Sequence, residues 1–178
     1  VVGDENILLV GGLRSTDKGA TWEKIEGIPG FDSVMTYALD GSAIFGTSVN
    51  WIVKSTDGGL TWESVGKVGS KPKSMAYDNQ NDTLWVLNGD GLLFRFADGE
   101  RKMVKLPTGD EMKPRSIACD PKDGNIIYVG NALNIAKSEA SVIRSKDGGY
   151  TWENLTKTVT NGVPGMDGGI EASVIETN

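Results

Sequence analysis

The sequence predicts an all-β fold, a β-propeller of four-stranded antiparallel blades about four blade-equivalents long, and three observations carry that expectation. An eight-residue box recurs at Ser15 to Trp22 (STDKGATW), Ser55 to Trp62 (STDGGLTW) and Ser145 to Trp152 (SKDGGYTW). Short apolar runs rich in β-branched and aromatic residues recur between the boxes, without helical periodicity. The chain of 178 residues, 38% of them hydrophobic, is also long enough to bury a core.

The spacing orders the elements. Asp17, Asp57 and Asp147 lie 40 and then 90 residues apart, and Arg95-Phe96-Ala97-Asp98-Gly99 fits a worn box in the wider gap. With Asp98 included the intervals become 40, 41 and 49, within the range of about 20 to 50 residues that marks repeat architectures. A second marker keeps step: Ser33, Ser74, Ser116 and Ser173 each open an apolar run, and the first three precede a box aspartate by 24, 24 and 31 residues. Each such run is the first strand of a repeat.

The second strand is expected at Ala43 to Gly46, Leu84 to Leu87 and Ile126 to Val129, and the third at Trp51 to Lys54, Leu92 to Arg95 and Ser141 to Arg144. The fourth starts at the box tryptophan, as in Thr61 to Val65. Successive strands joined by tight turns need no crossover helices. The repeats run over about 1–26 (partial), 27–66, 67–108 and 109–158, within one propeller domain or segment, and 159–178 supplies the first strand of a further or ring-closing blade. If Ala172 to Glu176 paired beside Asn6 to Val10, the count from Ser173 on to Asp17 would be 22, close to the usual 24. A small closed ring and a segment of a larger propeller both fit; the initial Val suggests processing or excision from something longer.

Each box residue has a local use. The aspartate can accept backbone N–H groups of its own turn, and Ser15, Ser55 and Ser145 can add hydroxyl bonds. Gly19, Gly59 and Gly149 suit a positive φ. Trp22, Trp62 and Trp152 start the outgoing strand with a ring that packs over the hairpin. A calcium loop would need several converging oxygens with another spacing, so no metal is expected.

These boxes resemble the Asp-box, or BNR, repeat of sialidases, xyloglucanase-type glycoside hydrolases, sortilin-like receptors and Ycf48-type photosystem II assembly factors, with Asp98 a partial match. The resemblance implies a propeller in which the box is a structural hairpin between the third and fourth strands, away from the ligand face. By family habit it also implies an extracellular, cell-surface or virion-associated setting. It implies fold and not function.

Composition excludes several chemistries. No histidine is present, which removes Ser-His-Asp, Cys-His and His-ligated zinc sites. With 18 basic and 24 acidic residues the net charge is −6 and there is no basic block, so neither nucleic acid nor an anionic membrane surface is a favoured partner. No apolar run approaches the roughly 20 residues of a membrane span, and no signal-peptide pattern opens the chain. The single Cys119 sits in an apolar run as a small hydrophobe. The sequons at Asn81 and Asn154 are what chance gives in a polar chain. No cofactor is expected.

If the boxes occupy one end of each sheet, the opposite end carries the second-to-third turns and the connections between repeats. Loops on a rigid scaffold are the usual place for binding. The ligand candidates there are Asn50 and Trp51, Asp90, and Lys73 with Arg115, which follow the repeated Lys-Pro pairs at Lys71 and Lys113. Trp51 has a place in the core as its rival reading. Glycoside hydrolysis would need two carboxyls about 5 Å apart, or roughly 6.5 to 9.5 Å for inversion. Asp32, Asp110 and Asp167 are the weak catalytic candidates, with Asp90 and Glu111 on the same face. No sialidase-type Phe/Tyr-Arg-Ile-Pro segment is present. The leading reading is a non-enzymatic module for a glycan or protein partner. The alternative is a fragment of a glycoside hydrolase, xyloglucanase-like more than sialidase-like.

Overall fold

Every strand in the computed structural model pairs antiparallel with its neighbour in sequence, because turns of a few residues fold each apolar run back on the last. The structure describes residues 6–27, 31–107, 114–131 and 142–155, with the backbone alone described for 31–35 and 131. The first sheet comprises β1 (Leu8–Val10), β2 (Leu13–Ser15) and β3 (Glu23–Lys24). The second comprises β4 (Phe31–Tyr37), β5 (Ile44–Ser48), β6 (Trp51–Ser55) and β7 (Glu63–Lys67). The third holds β8 (Pro72–Asp78), β9 (Thr83–Asn88), β10 (Leu93–Ala97) and β11 (Glu100–Val104). The fourth holds β12 (Pro114–Cys119), β13 (Ile127–Asn131), β14 (Val142–Ser145) and β15 (Glu153–Asn154). Each runs in simple meander order, and no helix is long and apolar enough to cross a membrane.

The boxes join the third to the fourth strand in sheets two and four, and β2 to β3 in the first sheet, where three strands are described. The expected pairing of Ala172 to Glu176 lies outside the described residues. Several expected loops are shorter than the sequence suggested. The turn between β5 and β6 is Val49 and Asn50 alone, with Trp51 starting the third strand as expected, and Lys73 and Arg115 lie within β8 and β12 rather than in the connections. A proline admits this because each connection hands over to its strand at Pro72 or Pro114, and the first residue of a strand tolerates a missing donor.

The chain divides into two compact units, Val1–Pro72 and Lys73–Asn178. In the second unit, the third and fourth sheets share a core. Trp85, Leu87 and Leu93 meet Ile117, Ile127, Val129 and Ile143, with Trp152 and Cys119 at its margin. Strand alternation places these residues on facing sides. The backbone N–H of Ile117 also donates to Ser74 Oγ at 3.2 Å, so the serine that opens β8's apolar run bonds to the strand opening the next repeat. In the first unit, Ile7 and Leu9 lie against Gly58 and Gly59, and the buried Arg14 donates from Nε to Gly58 O at 3.0 Å. The opposite face of the first sheet leaves Leu8 36%, Val10 59% and Leu13 42% exposed. Ile127 and Val129, at the corresponding register positions of the fourth sheet, are fully buried.

Candidate functional site

Each of the three boxes sets an aspartate in a glycine-bearing turn, and their geometry is a closed hydrogen-bond circuit. Ser55 Oγ donates to Asp57 Oδ1 at 2.8 Å and accepts Gly59 N–H at 2.8 Å. Asp57 Oδ1 accepts Leu60 N–H at 3.0 Å and Thr61 N–H at 2.9 Å, while Thr61 Oγ1 donates to Oδ2 at 2.6 Å. The carboxylate thus reaches three and four residues along the chain, further than a simple Asx turn. Trp62 folds back, and its indole N–H donates to Gly59 O at 3.1 Å.

Asp17 repeats the circuit with Ser15, Thr21 and Trp22, and Asp147 repeats it with Ser145, Thr151 and Trp152. The threonine hydroxyl, then the threonine N–H, hold all three carboxyls down at about 2, against an ordinary 3.8. Such an acid is ionised and occupied at neutral pH, which suits a fastener and not a proton donor.

Asp98 works differently. Asp98 and Gly99 are the two residues between the paired Ala97 and Glu100, with φ of 55° and 73°, the backbone of a type I′ hairpin. The turn survives the loss of serine, threonine and tryptophan because Asp-Gly alone supplies it.

Two features of the repeat escaped sequence reading although their signals were present. The residue before the box serine is basic and the residue after the tryptophan is Glu, and the two are directly opposite across the hairpin: Arg14 and Glu23, Lys54 and Glu63, Arg144 and Glu153. Arg14 and Arg144 reach their partners at 3.0 and 2.6 Å. The turn from first to second strand also has its own aspartate. Asp40, Asp78 and Asp120 each accept a backbone N–H two residues on, at 2.9, 2.9 and 2.8 Å. Gly124 lies so close to Asp78 that a Cβ there would stand 2.2 Å from its carboxylate oxygen.

The structure gathers Asn50 and Trp51 in an open groove of about 470 Å³ in the first unit, bounded also by Val49, Trp62, Glu63 and Ser64. Trp51 is 40% exposed, so it is a surface ring and not core. Lys67, directly opposite on β7, holds its ammonium 4.4 Å from the ring centroid. Asn50 is held through side chain and backbone: Nδ2 donates to Gly69 O at 3.0 Å, and its backbone carbonyl accepts Val68 N–H at 3.1 Å. The preceding Val49 takes φ of 58°, a costly conformation for a β-branched residue, and stands 63% exposed. The tip of this hairpin is therefore tied back to Val68 and Gly69 and presents apolar surface to solvent.

Lys73, Asp90 and Arg115 are not among the residues lining that groove. Lys73 Nζ donates to Gly89 O at 3.3 Å, across the turn that contains Asp90. Asp90's own N–H is held by Asn88 Oδ1 at 3.1 Å. Arg115 projects from β12, on the strand next in the repeat order to that of Lys73. Asp110, Glu111 and Asp167 lie outside the described residues, as does the side chain of Asp32. Among the described residues, Glu63 is the one carboxylate that lines the groove, and no group of three or more acids or cysteines is placed to hold a metal ion. Burial pushes the Cys119 thiol well above its ordinary range, which leaves it protonated and inert.

No protein-family model matches the chain, and no curated protein sequence does. Solved structures match in fold. The GH74 xyloglucanase from Xanthomonas campestris is similar with a TM-score of 0.64 at 19% identity, over 82% of this chain and 27% of that one. The nidogen/laminin complex gives 0.60 at 17% identity, over 84% of this chain and 59% of that one. The β-propeller domain of Cps50 (Swd1) from Myceliophteria thermophila gives 0.53 at 8% identity, over 73% of this chain and 39% of that one. The chain has the all-β, blade-built architecture of a β-propeller. It spans about a quarter of the length of the xyloglucanase it matches.

Proposed function

We propose that this chain is a non-enzymatic Asp-box propeller module that binds a glycan or protein partner through the groove at Trp51. One observation carries the reading. At the place six residues before the box aspartate the other repeats have Gly11, Leu92 and Ser141, so the fold does not require an aromatic there. Trp51 is nevertheless 40% exposed, with the Lys67 ammonium over its ring and a strained Val49 two residues before it. An exposed aromatic flanked by amide and hydroxyl groups is the usual anchor of a binding surface. The box geometry supports the structural side of the same reading, with each carboxylate consumed by its own turn.

The experiment is a glycan-array screen of the full chain, followed by titration of any hit against Trp51→Ala and Arg115→Ala. Trp51→Ala is expected to weaken binding at least tenfold while the thermal midpoint stays within a few degrees of the parent. Arg115→Ala, outside the groove, is expected to leave binding unchanged. Failure to bind any glycan would move the reading to a protein partner.

The second reading, part of a glycoside hydrolase, draws on the fold similarity to the xyloglucanase, and its carboxyl pair would come from Asp32, Asp110 and Asp167. Release of reducing ends from xyloglucan by the full chain, lost on substitution of any of these to Asn, would overturn the non-enzymatic reading.

A further inference from the structure

We propose that the outer edge of the third sheet, β11, accepts an acidic extended segment of another protein as an added strand. This surface is separate from the Trp51 groove. β11 pairs with β10 over five consecutive residues without a register shift. The outer strands β3 and β15 have two paired residues each, and the β6 to β7 pairing is broken by a shift at Ile52 and Val53. Short strands and bulges spoil an edge as a template for further pairing; β11 has neither, and its far side meets no strand among the described residues.

The charges on this edge depart from the repeat. Where the other hairpins oppose a basic residue with Glu, the third sheet sets Arg95 directly opposite Lys102. Like charges at directly paired positions are unfavourable, and here the neighbouring Glu100 takes up Lys102 at 2.8 Å. Arg101 lies 5.6 Å from the Phe94 ring centroid, Met103 is 65% exposed, and Lys105 follows the strand. Arg95, Arg101, Lys102 and Lys105 thus outweigh Asp98 and Glu100 on one hairpin of a chain whose net charge is −6.

The plain role of edge lysines is to stop two bare edges from joining. That guard repels a second copy of this basic edge, yet it favours a strand of opposite charge. A complementary segment would place acids against Arg101 and Lys102 and an apolar residue against Met103. Main-chain bonds would supply affinity and side chains selectivity, as in strand addition generally.

The test uses the full chain and a fluorescein-labelled hexapeptide, Thr-Val-Glu-Glu-Val-Thr, which reads the same in both strand directions, with Thr-Val-Lys-Lys-Val-Thr as control. Saturable binding of the acidic peptide is expected, weakened by raised salt because the charges are exposed. Amide hydrogen exchange should slow within Glu100 to Val104 when the peptide is bound. Lys102→Thr should weaken binding at least tenfold without lowering the thermal midpoint, since it removes the like-charge opposition to Arg95. Equal binding of the basic peptide, no binding of the acidic one, unchanged exchange in β11 or an unaffected Lys102→Thr would each overturn the proposal.

Discussion

The carboxylate of Asp57 accepts two N–H groups and two hydroxyls within its own turn, and the two other complete boxes repeat both hydroxyl bonds and the threonine N–H bond. Because hydrogen bonding depresses these folded-state values from 3.8 to about 2, the associated stability is present above pH 4 and is lost as pH falls through about 2. Acid unfolding followed by tryptophan fluorescence should therefore fall steeply between about pH 4 and pH 2. Asp57→Asn should lower the neutral-pH midpoint and flatten that acid limb, since it removes one of three linked groups. Val49 makes the opposite case. Asn tolerates φ near +60° where Val does not, so Val49→Asn should raise the unfolding free energy in urea by about 1 kcal/mol. A loss would mean that Val49 packs better than its 63% exposure suggests.

At the scale of the hairpin, two glycines separate backbone conformation from close approach. Gly99 has φ of 73° and open space around a notional Cβ, whereas Gly149 has φ of 89° and a Cβ there would stand 2.7 Å from the Trp85 ring. Gly99→Ala should cost about 1 kcal/mol, the left-handed penalty alone. Gly149→Ala should cost a further 1 to 3 kcal/mol, roughly, because the indole it strikes is locked in the core. Chemical denaturation of the two variants checks the difference. The box glycine is thus conformationally necessary in its own hairpin and sterically necessary to the sheet beside it. The eight-residue motif revealed the first need. The second depends on which residue of the preceding sheet arrives at that point.

For the molecule, the decisive contacts in the second unit are those between the third and fourth sheets. Trp85 is 1% exposed at the centre of that core, and Trp85→Ala should destabilise by about 3 to 5 kcal/mol, measurable as a shift in urea midpoint. What the sequence determined by itself was the all-β class, the four repeats and the box hairpins. Strand alternation and turn chemistry are local, and Ser55, Asp57, Thr61 and Trp62 satisfy one another within eight residues. Tertiary structure alone decided that Trp51 is a surface ring under Lys67, that Arg95 faces Lys102, and that Ser74 bonds to Ile117. Each of these depends on strand register or on the packing of one sheet against another. A shift of one residue turns a side chain to the other face, and no spacing of letters records which face meets solvent.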